Sequence, residues 1–560
     1  MESQPAITPA PATYHEAVAA FAEMARQRDE AHAKYDRLRD SYEALLLELK
    51  LLKHRIFVAK AERVDSHQLE LEFAAKLAAL NAIAETPKPP PPKDKPKPKR
   101  PRPKGRRNLR DADLDEKHLE IEDPEIEKLV AEGRAKVIGF EESYRIGHKR
   151  GGMVKVVVKR KKYLVLDDQG DSKVKTAARP KEALKRSMAA PSMLAKVAVD
   201  KYCDGLPLFR IEDRMARAGF PIDRGTMSRW MEDIGATFGA TVVAAARRDM
   251  MQSAFCIATD ATGVAVQPEP SPDKKRQPCR KGHYFVLVAD RDHIFFEYTP
   301  RETSQVVSEM FRDYSGYIQA DAKSVYDILF RPPAKPPPEG DDTVRKEVGC
   351  WSHARRKFWE ATWEKSVTGR EGLARIGRIF EVDEQFKGKR PAQIRRLRNM
   401  HLRPHIEALI AWADEQYELV KDKRGTLRTA VGYVHRQKSA LTAVLEDGRL
   451  LLDNNRSERA LRRIAIGRKA WLFVGSDDHA HAAGHLFSLI ASARLHGLHP
   501  EDYLRDVLRV LPNWPRERYL ELAPKYWAAT RARLDPDELA HELGPLTVPP
   551  PDTPEEMPPQ

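Results

Sequence analysis

Cysteine is scarce in this chain. Its 560 residues include four, Cys203, Cys256, Cys279 and Cys350, and no two of them form a C-x-x-C pair. Structural zinc sites and disulfide frameworks need cysteines at close or regular spacing, so neither is predicted. A chain without disulfides fits a reducing compartment.

Long apolar runs are also missing. No stretch approaches the roughly 20 apolar residues that a membrane-spanning helix needs. The first residues, MESQPAITPAPATYHEAV, have no basic start followed by an apolar segment, so no secretory signal is predicted. We therefore expect a cytoplasmic protein with no membrane partner.

Positive charge, in contrast, is abundant. Lys and Arg number 97 against 83 Asp and Glu, which gives a net charge of +14. A large basic protein favours a polyanionic partner, and nucleic acid is the commonest one. The alternative is a basic chain from a generally basic proteome, so the charge alone does not decide for nucleic acid.

The N-terminal segment has a heptad pattern. Apolar residues recur in steps of three and four from Phe21 to Ala59, while charges such as Glu43 and Lys53 lie off the seam. This pattern predicts a coiled coil that joins copies of the chain into a homo-oligomer. The residues expected to form the oligomer seam are Leu38, Leu45, Leu49, Leu52 and Ile56.

Two further segments precede the main body of the chain. Residues 86–107, TPKPPPPKDKPKPKRPRPKGRR, alternate proline with basic residues and predict an extended tether, either a solubilising spacer or a strand that follows phosphates. Residues 108–180 alternate apolar and polar side chains, which predicts a small β module.

A helical pair follows the β module. The pattern predicts a helix near 208–218, a turn at Gly219 and a second helix from about 224, capped by Asp223 or Thr226. This arrangement is compatible with a helix-turn-helix whose second helix would bring Arg229 and Trp230 to DNA. Short helical hairpins are common, however, so the pattern alone favours an ordinary pair of helices.

Three acids stand out in the rest of the chain. The element order over 255–365 is predicted as βββαβαβα, with Asp260 near the end of the first strand and Asp321 at the end of the fourth. In such a sheet the first and fourth strands are neighbours, and Glu458 would approach on a packed helix. Three converging carboxylates repel one another unless divalent cations neutralise them. Unrelated helix caps and surface ion pairs are the alternative.

Several motifs carry a resemblance. IATDAT, GYIQADAKSVY, GCWSHARRKFWEA and LLDNNRSERALRRIAIGRKAWLFVGS occur in this order and are followed by SLIASARLHGLHPEDYL. Together they resemble the transposases of the insertion-sequence-66 family over roughly residues 35–510. The resemblance implies a multidomain α+β protein with a ribonuclease-H-like α/β catalytic core, split by a helical insertion before the last acid.

The resemblance also implies the chemistry of the site. Asp260, Asp321 and Glu458 match the catalytic DDE triad and would bind two Mg²⁺ ions, with Mn²⁺ able to substitute. His353 and Arg356 match an auxiliary element of the core, where His353 would lie near the scissile phosphate or brace the core. A buried, hydrogen-bonded histidine is the alternative. The side chains expected to contact DNA are Arg229, Trp230, Arg355, Arg459, Arg462, Arg463, Arg468 and Lys469.

Two positions depart from the family pattern. The family usually has a cysteine-rich zinc module after the tether, whereas residues 108–180 contain no cysteine, so no zinc is predicted there. Ala470 stands where the family usually has asparagine, which would weaken a contact to DNA or within the core. All three acids are present.

The predicted organisation follows from these patterns. It comprises a coiled-coil helix (13–85), the tether (86–107), the β module (108–180), the helix-turn-helix segment (181–250), the first part of the catalytic core (251–369), a helical insertion (370–448), the last part of the core (449–515) and a C-terminal helix with a disordered tail (516–560).

The leading hypothesis is a DNA transposase that cleaves transposon ends and joins them to target DNA. Its expected partners are the terminal inverted repeats, target DNA, other copies of the chain and small accessory proteins of the same element. On DNA it would associate with the nucleoid. The alternatives are a domesticated or decayed relative that binds DNA without cutting it, and a metal-dependent nuclease without strand transfer.

The heptad pattern generates a first prediction. Replacing Leu45 and Leu52 with glutamate should lower the oligomeric state, because a buried seam cannot accept unpaired charges. Light scattering measures the mass, and charge reversal at the off-seam position Glu43 is the control. An unchanged mass for the Leu45/Leu52 variant would contradict the predicted zipper.

Overall fold

In the computed structural model, the described residues are 23–27, 30 and 109–551, apart from 150, 167–171, 186, 269–276, 331–343 and 365. The chain divides into two compact units, Met1–Gly105 and Arg106–Gln560. In the first unit, residues 23–27 and 30 are helical. The predicted oligomer seam and the tether lie outside the described residues.

A small mixed sheet begins the second unit. The strands of this sheet and the helix between the first two are β1 (Glu116–Ile121), α1 (Pro124–Ala131), β2 (Ala135–Lys149), β3 (Gly152–Leu166) and β4 (Ser172–Thr176). β3 pairs with β2 and β4 in antiparallel fashion and with β1 in parallel. β3 departs from the simple alternation expected of a half-buried strand, because Lys155 and Arg160 are buried and donate to backbone carbonyls.

Four helices come next in the chain. They are α2 (Pro191–Tyr202), α3 (Leu208–Arg217), α4 (Arg224–Phe238) and α5 (Ala244–Ser253), the last two joined by a π turn at Gly239–Val243. Gly219 turns the chain between α3 and α4 with a φ of 95°, a left-handed conformation that favours glycine. Asp223 caps α4 by accepting hydrogen bonds from the amides of Gly225 and Thr226.

The central sheet has five strands. The strands and the helix α6, which lies between the third and fourth strands in sequence, are β5 (Cys256–Val266), β6 (Arg280–Ala289), β7 (His293–Thr299), α6 (Ser304–Met310), β8 (Gly316–Gln319) and β9 (Arg345–Val348). The strand order is β7-β6-β5-β8-β9, so the predicted neighbourhood of the first and fourth strands is present. In place of the helix that the predicted element order sets after the fourth strand, the chain forms a short 3-10 turn, Asp327–Leu329.

A helical bundle follows β9. Its helices are α7 (Trp351–Trp363), α8 (Val367–Glu384), α9 (Pro391–Leu397), α10 (Arg403–Val420), α11 (Thr426–Arg436) and α12 (Lys438–Thr442). Trp351 and Phe358 of α7 belong to the same apolar core as Ile406 and Val434. The bundle therefore begins with α7, and the predicted boundary at 369/370 falls inside α8.

The chain then returns to the central sheet. The remaining helices are α13 (Asn455–Trp471), α14 (Asp477–Leu495), α15 (Pro500–Val510), α16 (Pro524–Ala532) and α17 (Pro536–Ala540). The prediction of a disordered tail at the end of the chain is wrong for residues 546–551, which the structure describes. The carbonyls of Pro549 and Pro550 there accept hydrogen bonds from Arg518 and Arg533, at 2.8 and 2.9 Å.

The helix α14 covers the free edge of the sheet. The amides of Ile294 and Phe296 on β7 donate to the hydroxyls of Ser492 and Ser488, at 3.0 and 2.8 Å. These hydroxyls satisfy backbone groups that an edge strand otherwise exposes to further pairing. In the described part of the chain, no helix is long and apolar enough to cross a membrane.

Close contact between α14 and β7 generates a prediction about stability. A Cβ at Gly484 would lie 2.5 Å from the carbonyl oxygen of Phe296, so Gly484→Ala should push the helix from the sheet. We expect a loss of about 1–3 kcal/mol in the free energy of unfolding, measured by urea denaturation.

The matched control is Gly377→Ala in α8, where a Cβ meets nothing within 4 Å. This change should be neutral or stabilise the protein by about 0.5–1 kcal/mol, because alanine favours the helix. Equal denaturation midpoints for the two variants would show that the contact with Phe296 is unimportant.

Candidate active site

Asp260 lies in the middle of β5. The strand continues to Val266, so the expected position near the strand end is corrected. The backbone amide of Ala261 donates to Oδ1 of Asp260 at 2.7 Å. Burial raises the pKa of Asp260 to about 6, and the charges of Asp321 and Glu458 act in the same direction, against the Ala261 amide. The carboxyl group therefore resists ionisation while no cation is bound to it.

The pairing of β5 with β8 places Asp321 beside Asp260. The two strands are parallel, with Ala258 opposite Gln319. The same register continued by two residues sets position 260 opposite position 321. Asp321 follows the end of β8, its side chain is 15% exposed, and its buried Oδ1 has no hydrogen-bond partner among the described residues. An orphaned carboxylate oxygen of this kind is suited to binding a cation.

Lys323 is a basic neighbour of this pair that sequence reasoning missed. Its ammonium lies 3.8 Å from Oδ2 of Asp321 and 3.3 Å from Oε1 of Glu302. Partial burial lowers the pKa of Lys323, but the charges of Asp321, Glu302 and Asp260 outweigh burial and raise it. The lysine therefore stays charged and partly compensates the two aspartates.

Three hydrogen bonds attach the segment before α13 to the sheet and to the start of α7. The side chain of Gln319 on β8 donates to the carbonyl of Leu451 at 2.8 Å, and the amide of Trp351 donates to the carbonyl of Leu452 at 2.8 Å. Nδ2 of Asn454 donates to the carbonyl of Thr259 at 2.8 Å. The last bond attaches the start of α13 to the residue before Asp260.

Asn454 is a positioning residue that the sequence indicated only as part of a turn. It is 1% exposed, and the hydroxyl of Ser457 donates to both its side-chain and backbone oxygens. Its backbone amide also contacts the sulfur of Cys350 at 3.4 Å. The signal available in the sequence was the asparagine four residues before Glu458, directly ahead of a helix.

Further along, α13 is attached to β5 again. Arg468 donates to the hydroxyl of Thr262 at 3.0 Å and to the carbonyl of Gly263. The amide of Val474 donates to the carbonyl of Ala265 at 2.9 Å. The helix therefore runs along the strand that carries Asp260, fixed at both ends.

Glu458 lies in the first turn of α13 and is exposed. Its ion-pair partner within the described structure is His353 of α7, whose Nε2 lies 3.9 Å from Oε1. The other ring nitrogen of His353, Nδ1, is buried without a hydrogen-bond partner among the described residues. His353 therefore lies beside the third acid, and the alternative of a fully hydrogen-bonded core histidine does not describe it.

The acids fit a divalent cation only in part. Asp260 and Asp321 offer hard oxygen ligands of the kind Mg²⁺ prefers, with one oxygen orphaned. Among the described residues, however, no group of three His, Cys, Asp or Glu side chains lies close enough to hold a metal ion. Glu458 is near enough to raise the pKa of Asp260 but does not complete such a group. The metal site formed by three acids stays a prediction.

The basic residues of α13 divide between two faces. At about 100° per residue, Arg462 and Lys469 fall within about 40° of Glu458, and both are exposed. Arg459 and Arg463 lie about 100–140° away. The structure thus places two of the five predicted DNA contacts of this helix on the side of the acid.

Other predicted DNA contacts need correction. Trp230 is 5% exposed and packs in the main apolar core, so it is unable to contact DNA. Arg468 braces β5 through the bonds described above. Arg355 lies on the far side of α7 from His353, with its guanidinium 5.9 Å from the ring centre of Phe380.

The remaining two predicted residues lie on exposed helical surfaces. Arg356, predicted as auxiliary, pairs with Glu360 one turn along α7 at 3.2 Å. Arg229 is exposed on α4 and contacts Thr226 at 3.2 Å. Neither side chain is brought to the acids by a described contact.

Comparison with curated proteins finds relatives in Sinorhizobium fredii (strain NBRC 101917 / NGR234). The protein y4qI is 26% identical over 414 residues, which cover 72% of this chain and 74% of the relative. The protein y4hP is 25% identical over 379 residues, 63% of this chain and 65% of the relative. Both are described as uncharacterized, so the likeness itself assigns no activity.

Comparison with protein families is more informative. The IS66 C-terminal element matches residues 488–524, and a model described as Transposase C of IS166 homeodomain matches residues 44–117. The model of the Transposase IS66 family matches residues 186–482, which is 297 of 560 positions and includes all three acids. The chain therefore belongs to the IS66 family of transposases.

Proposed function

We propose that this protein is a DNA transposase that cleaves the ends of its element and transfers the freed strand to target DNA. The observation that carries the proposal is the parallel pairing of β5 with β8, whose register continued by two residues sets position 260 opposite position 321. On α13, Glu458 lies close enough to contribute to the raised pKa of Asp260. Membership of the IS66 family supports the same reaction class.

The catalytic core in this proposal is ribonuclease-H-like. An antiparallel β5-β6-β7 sheet extended by parallel β8 and β9 is consistent with this assignment. The helical bundle from α7 to α12 separates the two aspartates from Glu458 in sequence, as the resemblance implies. Its apolar core includes Val348 of β9, which joins the bundle to the edge of the sheet.

In the proposed mechanism, Asp260, Asp321 and Glu458 would hold two Mg²⁺ ions. At such a site these ions would activate a water or a 3′-hydroxyl and stabilise the oxygen that leaves phosphorus. Glu458 is exposed and lies close enough to contribute to the raised pKa of Asp260. His353 lies against Glu458 and would orient it, and Lys323 would compensate charge beside Asp321.

DNA is the proposed substrate and principal partner. Arg462 and Lys469 share the exposed face of α13 with Glu458 and would hold the phosphate backbone beside the acids. Homo-oligomerisation through the N-terminal heptads would bring two transposon ends together. Small accessory proteins of the same element remain proposed partners.

A second function is favoured by one observation. Because no three ligand side chains are assembled in the described structure, the chain is also compatible with a relative that binds DNA without cutting it. Purified protein that shifts end-containing DNA but never nicks it, with Mg²⁺ or Mn²⁺, would identify this function.

The proposed triad generates a direct prediction. Asp260→Asn, Asp321→Asn and Glu458→Gln should each abolish nicking of end-containing DNA, because each removes a charged ligand for the ions. DNA binding should persist, since none of the three acids pairs with phosphate. Nicking is measured on gels with Mg²⁺ and again after removal of the ion with EDTA.

The control for the triad is Asp478→Asn. Asp478 is exposed in the first turn of α14, so the change removes the same charge elsewhere. It should leave nicking unchanged. Full cleavage by any one of the three triad variants would remove that acid from the mechanism.

Asn454 generates a second prediction. Asn454→Asp keeps the size of the side chain but replaces the donor to Thr259 with a carboxylate, which should shift α13 along β5. We expect kcat for nicking to fall about 10- to 100-fold, because small misplacements of a catalytic group have effects of this size. The Mg²⁺ concentration for half-maximal rate should rise, while KM for DNA stays near its original value.

Asn455→Ala, one residue further along, is the matched control because the side chain of Asn455 makes no described hydrogen bond. If Asn454 only stabilises the fold, Asn454→Asp should lower the amount of folded protein. The Mg²⁺ dependence of nicking by the folded fraction should then be unaltered. That result would contradict the positioning role.

A further inference from the structure

A groove on the side of α13 turned away from Glu458 is lined by five arginines. They are Arg291, Arg456, Arg459, Arg463 and Arg494. The groove has a volume of about 400 Å³ and also includes Asp290 and apolar residues such as Ile294 and Leu495. It is formed where the β6–β7 turn, α13 and the end of α14 meet.

The arginines of this groove form no close ion pairs among the described residues. Within the described residues, no carboxylate lies within 4 Å of any of the five guanidinium groups. Asp290 in the groove is occupied by the amides of Phe255 and Cys256, at 2.7 and 3.1 Å. Asp292, next to Arg291, pairs with Lys525 at 2.7 Å.

The arginines are held in place by neutral groups instead. Arg456 donates to the carbonyl of Asp290 at 3.1 Å, and Arg463 donates to the carbonyl of Cys203 at 2.9 Å. These bonds fix the two inner guanidinium groups without cancelling their charge. Arg291, Arg459 and Arg494 are exposed around them.

The arginines of the groove repel one another, and this repulsion affects the pKa of Arg456. Burial lowers the pKa of Arg456, and the nearby charges of Arg291 and Arg459 lower it further, while the charge of Asp290 opposes them in part. Clustering like charges destabilises a folded protein unless a counter-charge is supplied. The arrangement is therefore explained by an anionic ligand that bridges several arginines.

We propose that the arginine groove binds the phosphate backbone of duplex DNA as a second DNA track, distinct from the face of α13 that carries Glu458. Arg456, Arg459 and Arg463 lie about 100–160° around the helix from Glu458. DNA in the groove is thus a flanking segment of the bound duplex, and its phosphates are not those that react. This inference rests on the proposed function only in naming DNA as the polyanion.

The test compares binding of the full-length protein to a random-sequence duplex of about 30 base pairs, measured by fluorescence anisotropy over a range of salt concentrations without Mg²⁺. For Arg291→Gln combined with Arg494→Gln, the plot of log affinity against log salt should become shallower by about 2, about 1 for each phosphate contact. The affinity at about 0.1 M salt should fall at least about 10-fold.

Two controls separate charge in the groove from other effects. Arg378→Gln combined with Arg403→Gln removes the same charge from exposed arginines of the bundle that pair with Glu381 and Glu407. This variant should keep the original slope. Arg291→Lys combined with Arg494→Lys keeps the charge and should also retain the slope, which excludes misfolding as the cause of a loss.

The outcomes distinguish this inference from the proposed function. A groove variant with the slope and affinity of the bundle control would overturn the groove as a DNA track, whether or not the protein nicks DNA. Loss of binding to an RNA duplex but not to DNA would overturn it as well. Wild-type protein that binds duplex through the groove but never nicks it would leave the groove in place and remove the transposase activity.

Discussion

The short parallel pairing of β5 with β8 is the constraint on which the candidate site depends. It spans only Cys256–Ala258 and their partners Tyr317–Gln319. Beyond that point β8 ends, β5 keeps β6 as its partner, and the two aspartates meet where the sheet opens. The charge of Asp321 helps to raise the pKa of Asp260, and both carboxylates are partly buried, which is unfavourable without a cation. The fold therefore creates the electrostatic problem that a divalent ion would solve.

The position of the third acid depends on a second constraint. Glu458 lies 137 positions after Asp321 in the sequence. Closing so long a loop has only a modest entropic cost beyond that of a shorter loop. The apolar core of the bundle from α7 to α12 includes Val348 of β9, which joins the bundle to the edge of the sheet. Gln319, Trp351 and Asn454 then determine where the returning chain is attached. Precision at Glu458 comes from these few hydrogen bonds and from His353 of α7, whose Nε2 lies 3.9 Å from Oε1 of Glu458.

Sequence patterns predicted those features that depend on local periodicity. The helices at Leu208–Arg217 and Arg224–Phe238 and the cap at Asp223 are present. The adjacency of β5 and β8, expected from the element order, is present as well. Features that depend on particular side-chain contacts between distant segments were missed. Trp230 lies on a helix whose apolar face packs into the main core, and the partner of Asn454 is 195 residues away. Residues 546–551 are rich in proline, yet Arg518 and Arg533 bind their carbonyls. No local pattern contains this information.

The arginines around α13 illustrate how a protein can retain positive charge for a ligand. Arg456, Arg463 and Arg468 each donate to a backbone carbonyl, which orients the guanidinium group without neutralising it. A carboxylate partner would have ordered these side chains equally well but would have cancelled their field. Glu458 remains exposed in this positive setting, and its described ion-pair partner is a histidine at 3.9 Å. Its charge is therefore still available to a cation, while the surrounding arginines remain available to phosphate. The carboxylate and the guanidinium groups of α13 do not pair with one another. One helix can therefore bind a cation through Glu458 and phosphate through its arginines.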